Sequence, residues 1–135
     1  MDRQNLEPLH PEAWLDACRR FHYSLQHAPA EDQAQNIRRL FHLLRLAPVP
    51  LRDLFTPSIS EKLFEQILAE CQLLASISLI NPSLSVTLDK NVNEPDVKLS
   101  LTYPGSTEIV TAEHPHLPVA VMTGLSTLAL TLANE

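Results

Sequence analysis

The chain has two glycines in 135 residues, Gly105 and Gly124, and none among the first 104. Average usage would put about nine in a chain of this length. Chemistry on phosphates, dinucleotides and acyl intermediates generally needs backbone brought close to a ligand, and glycine permits that approach. The shortage counts against enzyme designs built on glycine-rich loops. It favours a protein that works through side-chain surfaces. The sequence also lacks a P-loop, a G-x-S-x-G elbow, an H-E-x-x-H pair and a C-x-x-C pair.

The length fits a single domain, residues 1–135, made of two coupled parts. Apolar residues make up 44% of the chain, enough for a core and too many for a disordered tail. The net charge of −6 disfavours a general nucleic-acid or anionic-membrane binder. Cys18 and Cys71 are the only cysteines, and Met1-Asp2-Arg3-Gln4-Asn5 does not open a signal peptide. These features point to reduced thiols and a cytoplasmic location.

The chain changes character near residue 76. The helical part, 1–75, holds eight of the ten basic residues, all four phenylalanines and the tryptophan; 76–135 holds seven of the eight threonines and no arginine. With no long loop between them, the two parts are expected to share one core.

The first part reads as three to four helices. Pro11 and Glu12 suit a helix start, and Trp14, Cys18, Phe21 and Leu25 follow as one apolar stripe, with Asp16 within reach of Arg19 and Arg20. Pro29 ends that helix. A second starts near Ala30, carries Ala34, Ile37, Leu40, Phe41 and Leu44 on one face, and stops before Pro48 and Pro50. Leu51–Phe55 reads as one turn. Ser58 and Glu61 have capping-box spacing ahead of a helix whose stripe is Leu63, Ile67, Cys71 and Leu74, widened by Phe64 and Leu68.

The second part reads as a three-stranded antiparallel meander and a terminal helix. Leu84, Val86 and Leu88 alternate with polar residues, as do Val97, Leu99 and Leu101. Asn93–Asp96 and Tyr103–Ser106 are turns, the second with Pro104 and Gly105 as the central pair of a type II turn. Thr107–Thr111 is read as the third strand, with one sheet face buried and one wet. From Val119, the residues Val121, Leu125, Leu128 and Leu132 make a helical stripe, and Gly124 within it marks a close packing contact. This run of about 15 residues is short of the roughly 20 needed to span a membrane, so it reads as a buried helix.

Three clusters carry potential chemistry. Cys18 and His22 are one helical turn apart, the spacing of a thiolate–imidazole pair, although Cys18 lies on an apolar stripe that suits a buried thiol. His114 and His116, after Glu113, could aim two imidazoles at one metal, or form a solvated loop. Between Gln33 and Arg52 the chain has Arg38, Arg39, Arg45 and Arg52 and no acid. Arginine suits planar carboxylates, so this face is the candidate partner-binding surface, for an acidic segment of another protein. The one phenylalanine among these arginines, Phe41, belongs to the apolar stripe rather than to an exposed stacking surface, which disfavours nucleic acid.

The run Leu40–Leu44, then Ala47-Pro48, Leu51–Phe55 and Leu63–Leu68 is similar in pattern to the helical C-terminal domain of some dynein-assembly co-chaperones. The strands ending in Tyr103-Pro104, followed by a terminal helix, resemble RWD-type interaction modules. Both resemblances imply a non-catalytic binding module and transfer no site residue. The expectation is an α+β fold with the C-terminal helix on the sheet, acting as an adaptor, assembly factor, chaperone or inhibitor, with no catalytic residue, cofactor or metal. It includes a homodimer through an uncovered sheet edge at Thr107–Thr111. The rival is a small enzyme or ligand- or metal-binding domain using Cys18 and His22, or His114 and His116.

Overall fold

Helix α1 (Pro11–His27) begins at the expected place: Pro11 takes the first position, and Nδ1 of His10 accepts the Glu12 N–H at 3.3 Å. The structure, a computed structural model, describes residues 9–49 and 51–133. Trp14, Cys18, Phe21 and Leu25 are all buried, and Asp16 pairs with Arg20 at 2.7 Å on the outer side. A 3-10 turn, Ala30–Asp32, leads into α2 (Gln33–Leu44), which buries Ile37, Leu40, Phe41 and Leu44. The indole of Trp14 donates to the Leu43 carbonyl at 2.9 Å, tying α1 to the end of α2. The single turn α3 (Arg52–Phe55) places Phe55 against Trp14, with ring centroids 5.5 Å apart.

The following helix differs from the sequence expectation in two ways. Its cap is Ser60, whose hydroxyl accepts the Leu63 N–H at 3.2 Å, so the Ser58–Glu61 box does not form. The expected single helix is also split into α4 (Glu61–Glu70) and α5 (Gln72–Ser78) by an extended Cys71. Cys71 N closes α4 on the Ile67 carbonyl, and its own carbonyl opens α5 by accepting from Ala75 N. The buried side chains are Phe64, Leu68, Ala75 and Leu79, whereas Leu63 and Leu74 face out. Phe64 wins the inward position by stacking flat on Phe41 of α2, centroids 4.0 Å apart.

The sheet is an antiparallel meander in the order β1 (Ser85–Lys90), β2 (Val97–Thr102), β3 (Val110–His114). The 103–106 turn forms as expected: Gly105 has φ +83°, and Ser106 N–H donates to the Tyr103 carbonyl at 3.1 Å. The third strand, expected at Thr107–Thr111, begins at Val110 instead. Ser106 Oγ accepts the Glu108 N–H at 3.0 Å, a local turn that withdraws this donor from the ladder. Val110 then opposes Leu101, Ala112 faces inward, and Ile109 is left outside.

Helix α6 (Leu117–Ala133) lies between the sheet and the α1–α2 layer. It is buried around most of its circumference, as an apolar helix with few polar positions must be. A Cβ on Gly124 would meet Leu99 Cδ2 at 2.9 Å and Leu101 Cδ1 at 3.2 Å, so the absent side chain sets how closely α6 approaches β2. The architecture is α+β with its C-terminal helix on the sheet. Among the described residues no helix is long and apolar enough to cross a membrane.

Candidate functional site

Helix α6 packs on β2 and β3, and β1 overhangs it. This decides the fate of the alternating residues of β1. Leu84, just before the strand, is buried, but every residue of β1 is exposed, including Val86 at 40% and Leu88 at 52%. The expected buried row therefore ends in solvent. Beside it runs an apolar groove of about 270 Å³, walled by Ile77 of α5 and by Val86 and Leu88, with Leu99 and Val121 beneath. Among the described residues no charged side chain lines it. Asn81 does, but its amide is used internally: Nδ2 donates to the Thr56 carbonyl and Oδ1 accepts Ser83 N–H, both at 2.7 Å.

Among the described residues no strand lies beside the outer edge of β1. Its six residues contain no proline, and the charges Asp89 and Lys90 stand only at its end. There, Asp89, Glu94, Asp96 and Glu113 surround Lys98 in a polar depression of about 260 Å³. The cross-strand partners Asp89, Lys98 and Glu113 give a negative–positive–negative row. This acidic cluster stands at the far end of β1, on the sheet face opposite the one that carries Val86 and Leu88.

The arginines predicted as a partner-binding face are largely occupied within the chain. Arg38 grips Glu65 of α4 with Nε and Nη2, at 2.8 and 2.9 Å, and Gln35 with Nη1. Arg45 reaches Glu61 at 3.2 Å and lies over the Phe41 ring, 5.2 Å from its centroid. Arg39 lies over Phe21 and contacts Asn36 Oδ1 at 3.4 Å. Arg52 sits at the start of α3 and engages its own surroundings. The seven-residue spacing of Arg38 and Arg45 meets the four-residue spacing of Glu61 and Glu65 on an antiparallel neighbour. The Glu spacing was legible in the sequence; the pairing of α2 with α4 was not.

Cys18 is 1% exposed, and burial pushes its thiol up to about 12, so it is not a thiolate at neutral pH. Both nitrogens of His22 are engaged elsewhere. Nδ1 is 2.7 Å from Ser126 Oγ, and Nε2 is 3.2 Å from Gln26 Nε2. Since Gln26 Nε2 can only donate, the neutral ring carries its proton on Nδ1 and donates to Ser126, which donates in turn to the Thr123 carbonyl at 3.1 Å. This chain ties α1 to α6. His114 Nδ1 accepts the His116 N–H at 3.0 Å. Among the described residues no three His, Cys, Asp or Glu side chains converge as metal ligands. Cys71, expected to be buried, is only partly so.

Val86 and Leu88 were visible in the sequence as an apolar row but not as an exposed one. Their exposure depends on which strands α6 covers, and no local signal encodes that. No family model matches the chain, nor does any curated protein or solved structure. The two resemblances of pattern therefore gain no further support from comparison.

Proposed function

We propose that the chain is a non-catalytic protein-interaction module that receives an extended segment of a partner protein along β1. The segment adds a strand to the sheet and seats alternate apolar side chains in the groove. One observation carries this reading: an open six-residue strand whose Val86 and Leu88 stand about half exposed beside an uncharged apolar groove. Strand addition takes affinity from main-chain hydrogen bonds and specificity from pockets for every second side chain, and both parts are present. The net charge of −6 and the acidic end of the strand favour a segment that is apolar in alternation and basic at one end. The acidic segment anticipated from the arginines has less support, because Arg38 and Arg45 already hold carboxylates of α4.

Selection from a displayed library of extended ten-residue peptides tests this. Wild type is expected to enrich peptides with apolar residues two apart and a nearby Lys or Arg. Leu88→Lys, which charges the groove wall without touching the core, is expected to lose them. Enrichment of acidic peptides that persist with Leu88→Lys and vanish with Arg39→Glu contradicts the reading. Sedimentation of the same two proteins separates the other occupant. A wild-type dimer dissolved by Leu88→Lys means that a second copy fills the edge.

A further inference from the structure

Helix α5 stands across the groove from β1, and its outer face is as apolar as the strand's. Leu73, Ile77 and Ile80 recur at +4 and +3, which sets them in one line along α5 and the turn that follows it. Leu73 and Ile77 are each 41% exposed, and Leu74 beside them is 57% exposed. Ile77 and Ile80 line the groove, so the line leads out of the groove and up the helix. No Asp, Glu, Lys or Arg occurs between Glu70 and Asp89. That stretch holds five of the ten exposed large apolar residues among the described ones: Leu73, Leu74, Ile77, Val86 and Leu88. Single exposed apolar residues are ordinary, whereas an uncharged cluster of them marks a contact surface.

Strand addition determines what meets this surface. Side chains of neighbouring strands point to the same face where they stand opposite each other. Every second side chain of a segment added outside β1 therefore points as Val86 and Leu88 do, to the side on which α5 packs beside α6. The groove of about 270 Å³ lies between that row and Ile77. Short side chains leave part of the space without partner atoms, and long ones fill it and reach α5. Strand propensity alone favours valine at such positions. Contact with α5 favours leucine, methionine or phenylalanine instead. A charged side chain there would lose water and find no partner, since both walls are uncharged among the described residues.

We propose that α5 is the second wall of the receiving site and selects partner segments whose inward side chains are long hydrocarbon ones. This rests on the strand addition proposed above and names the feature that chooses among strands.

Two synthetic probes test it. One is an extended peptide of alternating leucine and threonine with a lysine at each end; the other has valine in place of each leucine. Fluorescence anisotropy of labelled probes is expected to show the leucine peptide binding wild type about fivefold more tightly than the valine peptide, or better. Leu73→Gln and Ile77→Gln should each weaken the leucine peptide by about fivefold and narrow the gap between the probes. Leu63→Gln, at an exposed leucine of α4 away from the groove, should leave both unchanged. All three positions are exposed, so the core is untouched, and the comparison of probes on wild type needs no variant at all. A valine peptide that binds as tightly as the leucine peptide overturns the proposal, as does unchanged affinity in both α5 variants. If in either case Leu88→Lys still abolishes binding, strand addition stands and only the role of α5 falls. If wild type binds neither probe, strand addition and the role of α5 fall together.

Discussion

Gly124 shows how one side chain sets the spacing of two layers. The Cβ of alanine would meet the tip of Leu99 at 2.9 Å, a contact that the flexible end of a leucine can relieve. Alanine also favours helix by about 1 kcal/mol over glycine. Gly124→Ala is therefore expected to stay within about 1 kcal/mol of wild type in urea denaturation, while Gly124→Val, with nowhere to place two further methyl groups, costs about 2 kcal/mol or more. A Val variant as stable as wild type would contradict this packing. Cys18 carries a pH prediction. Burial raises its thiol from 9.0 to about 12, so the folded state keeps a proton that the unfolded chain loses. The stabilisation is complete below pH 9 and is lost as pH rises from 9 towards 12. Cys18→Ala should start less stable yet lose less between pH 9 and 11; parallel melting curves would show that Cys18 is not the group responsible. The close contact at Gly124 and the burial of Cys18 were legible in the sequence because each sits inside a stripe that is the buried one. Cys71 was misplaced because its stripe, through Leu63 and Leu74, faces solvent.

At the scale of elements, caps and cross-helix pairs decide where helices begin and how they sit. Ser60 accepts the Leu63 N–H, whereas Ser58 has no part in the cap of α4. Ser60→Ala should cost about 1 kcal/mol and Ser58→Ala almost nothing; the reverse order would restore the capping box read from spacing. The ion pairs from α2 to α4 are modest contributors. Hydrogen bonds from Arg38 hold the Glu65 carboxyl below the usual carboxylate range. Its contribution is present above the ordinary carboxylate pKa and is lost as pH falls through the depressed value. Both side chains are over a third exposed, at 40% and 36%, so solvent screens the pair. A double-mutant cycle with Arg38→Met and Glu65→Gln should give a coupling under about 1 kcal/mol at pH 7, shrinking in high salt and vanishing in acid. Coupling that survives acid would mean the two residues communicate by packing rather than charge. Element type was readable because periods of 3.6 and 2 differ sharply. The boundaries at Cys71 and Val110 were not, since one rests on a backbone excursion without glycine or proline and the other on a single serine hydroxyl.

For the whole molecule, the decisive fact is that one central helix serves two neighbours. Helix α6 faces α1 on one side and β2 and β3 on the other, and its width does not extend to β1. Among the described residues the sheet therefore has a strand with a buried neighbour and no helix over it, and the groove follows from that mismatch. Composition and periodicity foretold the α+β architecture with its helix on the sheet, but not which strand would overhang, because that is a property of how the layers are placed. The central claim is that β1 is a receiving edge. Amide hydrogen exchange of the protein, alone and with the best peptide from the display selection, tests it most directly. The account predicts that the outward-facing N–H groups of β1, those not bonded to β2, exchange fast in the free protein and become protected at alternate residues from Ser85 to Lys90 when the peptide binds. Protection that appears instead around Arg38, Arg39, Arg45 and Arg52, with β1 unchanged, would contradict it.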